Sequence, residues 1–125
     1  MNQRILIVDD SALSRRTLRA MLEGAGYMVE EASDGAQALE RYFLNPHDLV
    51  LLDIVMERLS GLEVLAKFRE LNPNVRVLMA TADIQSSTRD QVREAGAVGI
   101  INKPFTKDRL LASVTAVLEG GTVWN

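Results

Sequence analysis

Asp48-Leu49-Val50-Leu51-Leu52-Asp53 is the stretch that decides the fold. Four consecutive aliphatic residues without alternation predict a strand buried on both faces, and such a strand needs a parallel sheet with helices over each side. The run stops on a carboxylate. Open α/β sheets place their chemistry in the crevice outside the carboxyl ends of the strands, so Asp53 is the first candidate functional residue. Taken alone, it would serve equally well as a turn or capping residue.

Outward from that strand the pattern repeats. Ile5-Leu6-Ile7-Val8 is a second unbroken aliphatic run and ends on Asp9 and Asp10. Ser11 then caps a helix whose apolar positions Leu13, Leu18, Met21, Leu22 and Ala25 keep a 3.6-residue beat. Tyr27 to Ala32 reads as a shorter, half-exposed strand. Asp34-Gly35 turns the chain, and Ala38, Leu39, Tyr42 and Phe43 stripe a second helix that Asn45-Pro46 stops. Beyond Asp53, Ser60 or Gly61 opens a third helix with Val64, Leu65, Phe68 and Leu71 on one face, ended by Asn72-Pro73-Asn74.

Val75 to Ala80 is a fourth strand finishing on Thr81. The segment from Ile84 to Ala95 is helical by length but poorly anchored, with Ile84, Val92 and Ala95 its only apolar residues. Ala97 to Ile101 is a fifth strand leading into Asn102-Lys103-Pro104. Thr106 caps a last helix striped by Leu110, Leu111, Val114, Val117 and Leu118, which Gly120-Gly121 stops, and Thr122 to Asn125 is a short tail. Five strands alternating with five helices predict one doubly wound α/β domain over residues 1–125. The two most apolar runs must lie inside the sheet, so right-handed crossovers give the strand order 2-1-3-4-5.

Composition narrows the function. With 17 acidic and 14 basic residues, a net charge of −3 and a pI near 5.1, nothing biases the chain toward nucleic acid or an anionic membrane. Cysteine is absent, which removes disulfides and thiol chemistry. The apolar run after Arg4 is far too short for a signal core or a membrane span, so a cytoplasmic location is expected.

The polar residues that matter fall at one edge of the sheet: Asp9 and Asp10 after the first strand, Asp53 after the third, Thr81 after the fourth, Lys103 after the fifth. Three neighbouring carboxylates repel one another, and such a cluster persists near neutral pH when a cation compensates it. Hard oxygen ligands without histidine or cysteine point to Mg²⁺, with Mn²⁺ as the alternative. Lys103 adds a point charge for phosphoryl oxygens and Thr81 a hydroxyl donor. The set suits phosphoryl chemistry with Asp53 as nucleophile.

On Asp9-Asp10, Asp53, Thr81-Ala82 and Lys103-Pro104, the chain resembles the receiver domain of bacterial two-component response regulators from its first strand to its fifth helix. The resemblance implies a CheY-like, flavodoxin-like sheet. Asp53 would accept a phosphoryl group from a sensor histidine kinase or a phosphotransfer protein. Asp10 would bind Mg²⁺ directly, Asp9 mostly through water, and the backbone carbonyl of Val55 would supply another ligand. It also implies that Thr81, Ala82 and Lys103 take the phosphoryl oxygens and that the Lys103-Pro104 bond is cis. Such a domain catalyses its own phosphorylation and dephosphorylation and is not otherwise an enzyme. Its output would run to a downstream protein through the fourth helix, fifth strand and fifth helix.

The chain departs from that family at four places. Met56 is followed by Glu57, where members often carry Met-Pro. The aromatic switch position is Ile100. The hydrolysis-tuning positions are Val55 and Asp83, neither an amide able to orient water, so spontaneous phosphate loss is expected not to be fast. No DNA-binding or catalytic domain follows Gly121, which makes a stand-alone receiver with a protein-binding output the expectation, with no contact to nucleic acid or membrane.

Two other classes stay open. One is a receiver-like scaffold that works without phosphorylation. The other is an aspartyl-phosphate phosphatase of the haloacid dehalogenase type, although Asp9-Asp10-Ser11 lacks that family's second aspartate two residues on. Of the remaining residues, His47 is expected to be a solvated loop residue. Arg15, Arg16 and Arg19 are expected on the wet face of the first helix, with Arg15 near the acidic pocket. Met21, Met28, Met56 and Met79 are expected as core filler, and Trp124 either packs across the last helix or serves a partner.

Overall fold

Unbroken aliphatic runs become inner strands, as their two-sided apolarity requires. In the computed structural model, which describes residues 3–56, 59–82 and 86–124, strands and helices alternate strictly. They are β1 (Arg4–Val8), α1 (Ala12–Gly24), β2 (Met28–Ala32), α2 (Gly35–Leu44), β3 (Leu49–Asp53), α3 (Gly61–Leu71), β4 (Val77–Thr81), α4 (Ser86–Glu94), β5 (Gly99–Asn102) and α5 (Lys107–Leu118). All pairings are parallel and the order is β2-β1-β3-β4-β5, as the apolarity of the runs predicts.

Side chains alternate across the sheet, so each inner strand feeds two cores. Ile5, Ile7, Leu49 and Leu51 meet Leu18 and Leu22 of α1 and Leu110, Val114 and Val117 of α5. Leu6, Val8, Val50 and Leu52 meet Val64, Leu65 and Phe68 of α3, Tyr42 of α2 and Val92 of α4. Tyr42 and Phe68 lie edge to face with ring centroids 5.2 Å apart. The helix starts are capped where the sequence offers a short polar side chain: Ser11, Asp34 and Thr106 each accept a first-turn backbone N–H, and Ser60 with Glu63 forms a capping box. Among the described residues, no helix is long and apolar enough to cross a membrane.

Several expectations fail locally. Leu13, Phe43 and Leu71 are exposed, and so is Met28, which was expected in the core. Phe43 follows Tyr42, the residue that takes the core-facing position, and so points some 100° away around the helix. Leu71 lies in the last turn of α3, and Met28 begins an edge strand. The fourth strand starts at Val77, two residues later than its apolar run suggests, though Val75 is still buried. The fourth helix spans Ser86–Glu94, and Ile84 lies outside the described residues.

His47 is the largest correction. Its side chain is fully buried, Nε2 stands 2.7 Å from Glu30 Oε1, and the ring stacks on Tyr42 at 6.1 Å. Burial holds its pKa below the ordinary histidine value against the opposing pull of Glu30. Glu30 also faces Arg4 and Arg41. On the other side of β2, Arg15 and Arg19 both pair with Glu31, and Arg19 reaches Glu23 and the Val29 carbonyl. These arginines seal an edge strand instead of forming a merely solvated face, while Arg16 stays exposed. The opposite edge is closed differently. After Gly120, at φ +94°, the chain turns back and Val123 forms a parallel bridge with Gly99 of β5.

Candidate functional site

Strand register brings the expected polar residues together. Val8 lies opposite Leu52, which places Asp9 beside Asp53, the last residue of β3. Asp53 in turn lies opposite Ala80, and Thr81 opposite Asn102. The Lys103 N–H donates to the Thr81 carbonyl at 2.7 Å, joining the ends of β4 and β5. Carboxylate oxygens of Asp9, Asp10 and Asp53 all lie within 4.8 Å of one another. Asp9 is buried, Asp53 half-buried and Asp10 exposed, so the cluster opens to solvent on the Asp10 side.

Lys103 closes the cluster. Its Nζ donates to Asp9 Oδ2 at 3.1 Å and to Asp53 Oδ2 at 3.2 Å. The other oxygens are held by backbone: Asp9 Oδ1 accepts from Ser11 N at 2.9 Å, and Asp53 Oδ1 from Val55 N at 3.2 Å. Arg15 donates to the Asp9 carbonyl from the first turn of α1.

These surroundings set three proton affinities. Burial pushes the Asp9 carboxyl up, but hydrogen bonds from Ser14 and Ser11 and the charge of Lys103 outweigh it and leave the pKa below the ordinary value. Burial also dominates at Asp53, where the neighbouring Asp9 charge adds to it and Lys103 only partly offsets both, so its pKa is raised. Burial pulls Lys103 down, and the charges of Asp53 and Asp9 more than reverse this, keeping it protonated. One ammonium thus serves two carboxylates, an excess of negative charge before Asp10 is added.

A hard divalent cation fits this donor set. Oxygens on opposite sides of Mg²⁺ stand about 4.2 Å apart, and the ion usually keeps waters. Carboxylate oxygens within 4.8 Å of one another are compatible with it. Asp9, Asp10 and Asp53 would hold the ion, with the Val55 carbonyl nearby in sequence.

Other expected positions fall as follows. Thr81 is fully buried at the end of β4 and Ala82 is exposed. Val55 is exposed, whereas Ile100 is buried in the core beneath α4. The Lys103-Pro104 bond is cis. Asp83 and Glu57 lie outside the described residues.

Two features of the site escape the sequence reading. Leu13, Leu18, Met21 and Phe105 line an apolar groove of about 500 Å³ beside Lys103, which is why Leu13 is exposed. Gly61 lies so close to the end of β3 that a Cβ there would collide with the Asp53 carbonyl oxygen, and its N–H donates to the Ile54 carbonyl at 2.8 Å. A glycine just after a capping serine was the available signal.

Fold and strand-end cluster together define the CheY-like class of two-component signalling domains. The chain belongs to the response regulator receiver domain family, whose model matches residues 5–115. Response regulator MprA of Mycobacterium sp. strain KMS is 42% identical over 118 residues, covering 94% of this chain and 51% of that protein. The chain therefore spans about half the length of that relative. Chemotaxis protein CheY of Bacillus subtilis is 38% identical over 119 residues, covering 94% of this chain and 99% of that protein. Among solved structures, a LuxR-family two-component response regulator from Aurantimonas sp. superposes with a TM-score of 0.93 at 29% identity, covering 98% of this chain and 89% of that one. The CheX-CheY-BeF3-Mg²⁺ complex from Borrelia burgdorferi gives 0.87 at 30% identity, covering 92% and 88%.

Proposed function

We propose that residues 1–125 form one receiver domain whose Asp53 takes a phosphoryl group from a phosphohistidine on a sensor kinase or phosphotransfer protein. The observation that carries this reading is the lysine shared between two strand-end carboxylates, with Lys103 Nζ 3.1 Å from Asp9 and 3.2 Å from Asp53. In the transfer an Asp53 oxygen bonds to phosphorus as the P–N bond breaks, and the imidazole leaves with the electron pair. Lys103 neutralises charge on the moving group, and the Val55 N–H holds the second Asp53 oxygen so that the nucleophile is already aimed. Mg²⁺, or Mn²⁺, held by Asp9, Asp10, Asp53 and the Val55 carbonyl, supplies further charge neutralisation when bound.

The B. burgdorferi complex holds BeF3 and Mg²⁺, which supports the same pairing of ligand and ion in this chain. The apolar groove beside Lys103 gives a phosphodonor protein a surface to bury. After transfer, the added charge offers Thr81 and Ala82 new partners. The loop after β4 responds, and α4, β5 and α5 carry the change to a downstream protein in the cytoplasm. The domain catalyses its own phosphorylation, and its spontaneous loss of phosphate is not fast, since the Val55 and Asp83 side chains offer no amide to orient water.

Intact mass after incubation with acetyl phosphate and Mg²⁺ tests this reading. One added phosphoryl group, absent in Asp53→Asn, is expected. No gain in the native chain would leave the phosphorylation-independent scaffold, and steady turnover of a phosphate ester would favour the phosphatase.

A further inference from the structure

We infer that Thr122–Trp124 is a strap that closes the β5 edge of the sheet and pins α4, so that α4 is released when the strap lifts. The chain is directed to this position. Gly120 adopts a positive φ, Gly121 N donates to the Ala116 carbonyl at 2.8 Å, and the chain folds back off the end of α5. Val123 N then donates to the Val98 carbonyl at 3.0 Å, and Ile100 N to the Val123 carbonyl at 2.8 Å. These two bonds flank Gly99 in a parallel bridge, the start of a sixth strand.

Gly99 is what allows the approach. A Cβ at that position would collide with the Val123 carbonyl oxygen and crowd its nitrogen. A glycine inside a strand marks such a close approach of a second backbone.

The next residue reaches α4. The Trp124 ring packs against the core cluster that contains Val92, Ala97 and Ile100, and the Arg93 guanidinium stands 4.6 Å from its centroid. Val92 is the only residue of α4 with a fully buried side chain among the described residues, so the helix has a thin anchor to which Trp124 adds its ring. The strap itself is lightly held. Thr122 is exposed and Val123 and Trp124 are half-buried. A groove of about 410 Å³ lies between it and Ala112, Ser113 and Ala116 of α5, and only Val123 packs on the cluster that holds Leu110, Val114 and Val117 of that helix. The strap stands on these contacts alone. Its bearing on signalling, that a partner of α4, β5 and α5 must displace it, rests on the proposed function.

Amide hydrogen exchange of the 125-residue chain decides the matter, comparing native protein with Trp124→Ala and Gly99→Ala, and acrylamide quenching of Trp124, the single tryptophan, adds a second readout. Both variants are expected to accelerate exchange at Ile100 and along Ser86–Glu94 by about tenfold, through lost hydrogen bonds in Gly99→Ala and lost ring packing in Trp124→Ala, with α2 and α3 unchanged. Gly99→Ala should also raise quenching of Trp124. If α4 exchanges at the native rate in Trp124→Ala, or if Trp124 is quenched equally in native protein and Gly99→Ala, the strap is overturned. Should Gly99→Ala fail to fold, Trp124→Ala settles the question alone. A missing phosphoryl gain in the mass experiment would count against the proposed function only, because the exchange comparison uses unmodified protein.

Discussion

The two edges of this sheet solve one problem by opposite means. An edge strand presents unpaired backbone groups that invite another chain. At β2 the answer is polar side chains: Glu30 and Glu31 point to opposite faces, Glu30 gathering Arg4, Arg41 and the buried His47 imidazole, Glu31 gathering Arg15 and Arg19. At β5 the answer is backbone, with Val123 laid against Gly99. Charged seals depend on pH and salt, whereas a backbone seal depends on shape. The difference gives the two edges separate sensitivities, and each can be broken without the other.

The largest effect is expected from His47→Ala. It empties a fully buried site beside Tyr42 and removes the hydrogen-bond partner of Glu30 Oε1, so a loss of about 2–4 kcal/mol in urea unfolding is expected. A loss no larger than that of an exposed residue would show that the β2 edge is not anchored there. Gly99→Ala attacks the other edge by overpacking and should cost about 1–3 kcal/mol, with no added salt dependence. A native-like unfolding midpoint in this variant would mean that the Val123 bridge contributes nothing.

Acidification separates the edges next. The His47 pKa is lowered on folding, so below the ordinary value of about 6.5 the unfolded chain binds a proton that the folded chain resists, and stability falls as pH drops through that window. Glu31 has a lowered pKa, chiefly through its hydrogen bond with Arg19. Its contribution, present above the ordinary carboxylate range, is lost as pH falls further, through its folded value. Thermal midpoints measured across this range should decline in native protein and decline less in His47→Leu. Equal slopes would remove His47 from the account.

The smallest effect is expected from Arg19→Ala. Its side chain is 41% exposed, so solvent screening holds the loss to about 1 kcal/mol or less, fading toward 1 M salt. A larger, salt-independent loss would mean that the carbonyl bond to Val29 matters more than the ion pairs.

The centre of the molecule was far more legible than its edges. Ile5 to Val8 and Leu49 to Leu52 are apolar on both faces, which dictates interior parallel strands, and the carboxylates at their ends follow by register. His47 was misread because a lone histidine in a Pro-Asp loop has no periodicity, and what buries it comes from Glu30 and Tyr42, far off in sequence. A signal existed in the adjacent Glu30 and Glu31, with Arg15 and Arg19 one helical turn apart nearby. The strap was also announced faintly, by a glycine opening β5 and a β-branched residue two positions beyond Gly120-Gly121. Leu13 fits a helical stripe by spacing, but it lies at the start of α1, where the stripe runs past the sheet and onto the rim of the pocket.

Gly61 carries one more consequence. Because its amide is tied to the Ile54 carbonyl and its missing side chain lets α3 abut the Asp53 backbone, the chain leaves and rejoins the body of the protein at nearly one point. Any side chain larger than hydrogen at Gly61 would wedge α3 off the strand end and drag the Asp53 main chain with it, so the aim of the nucleophile hangs on an atom that is not there.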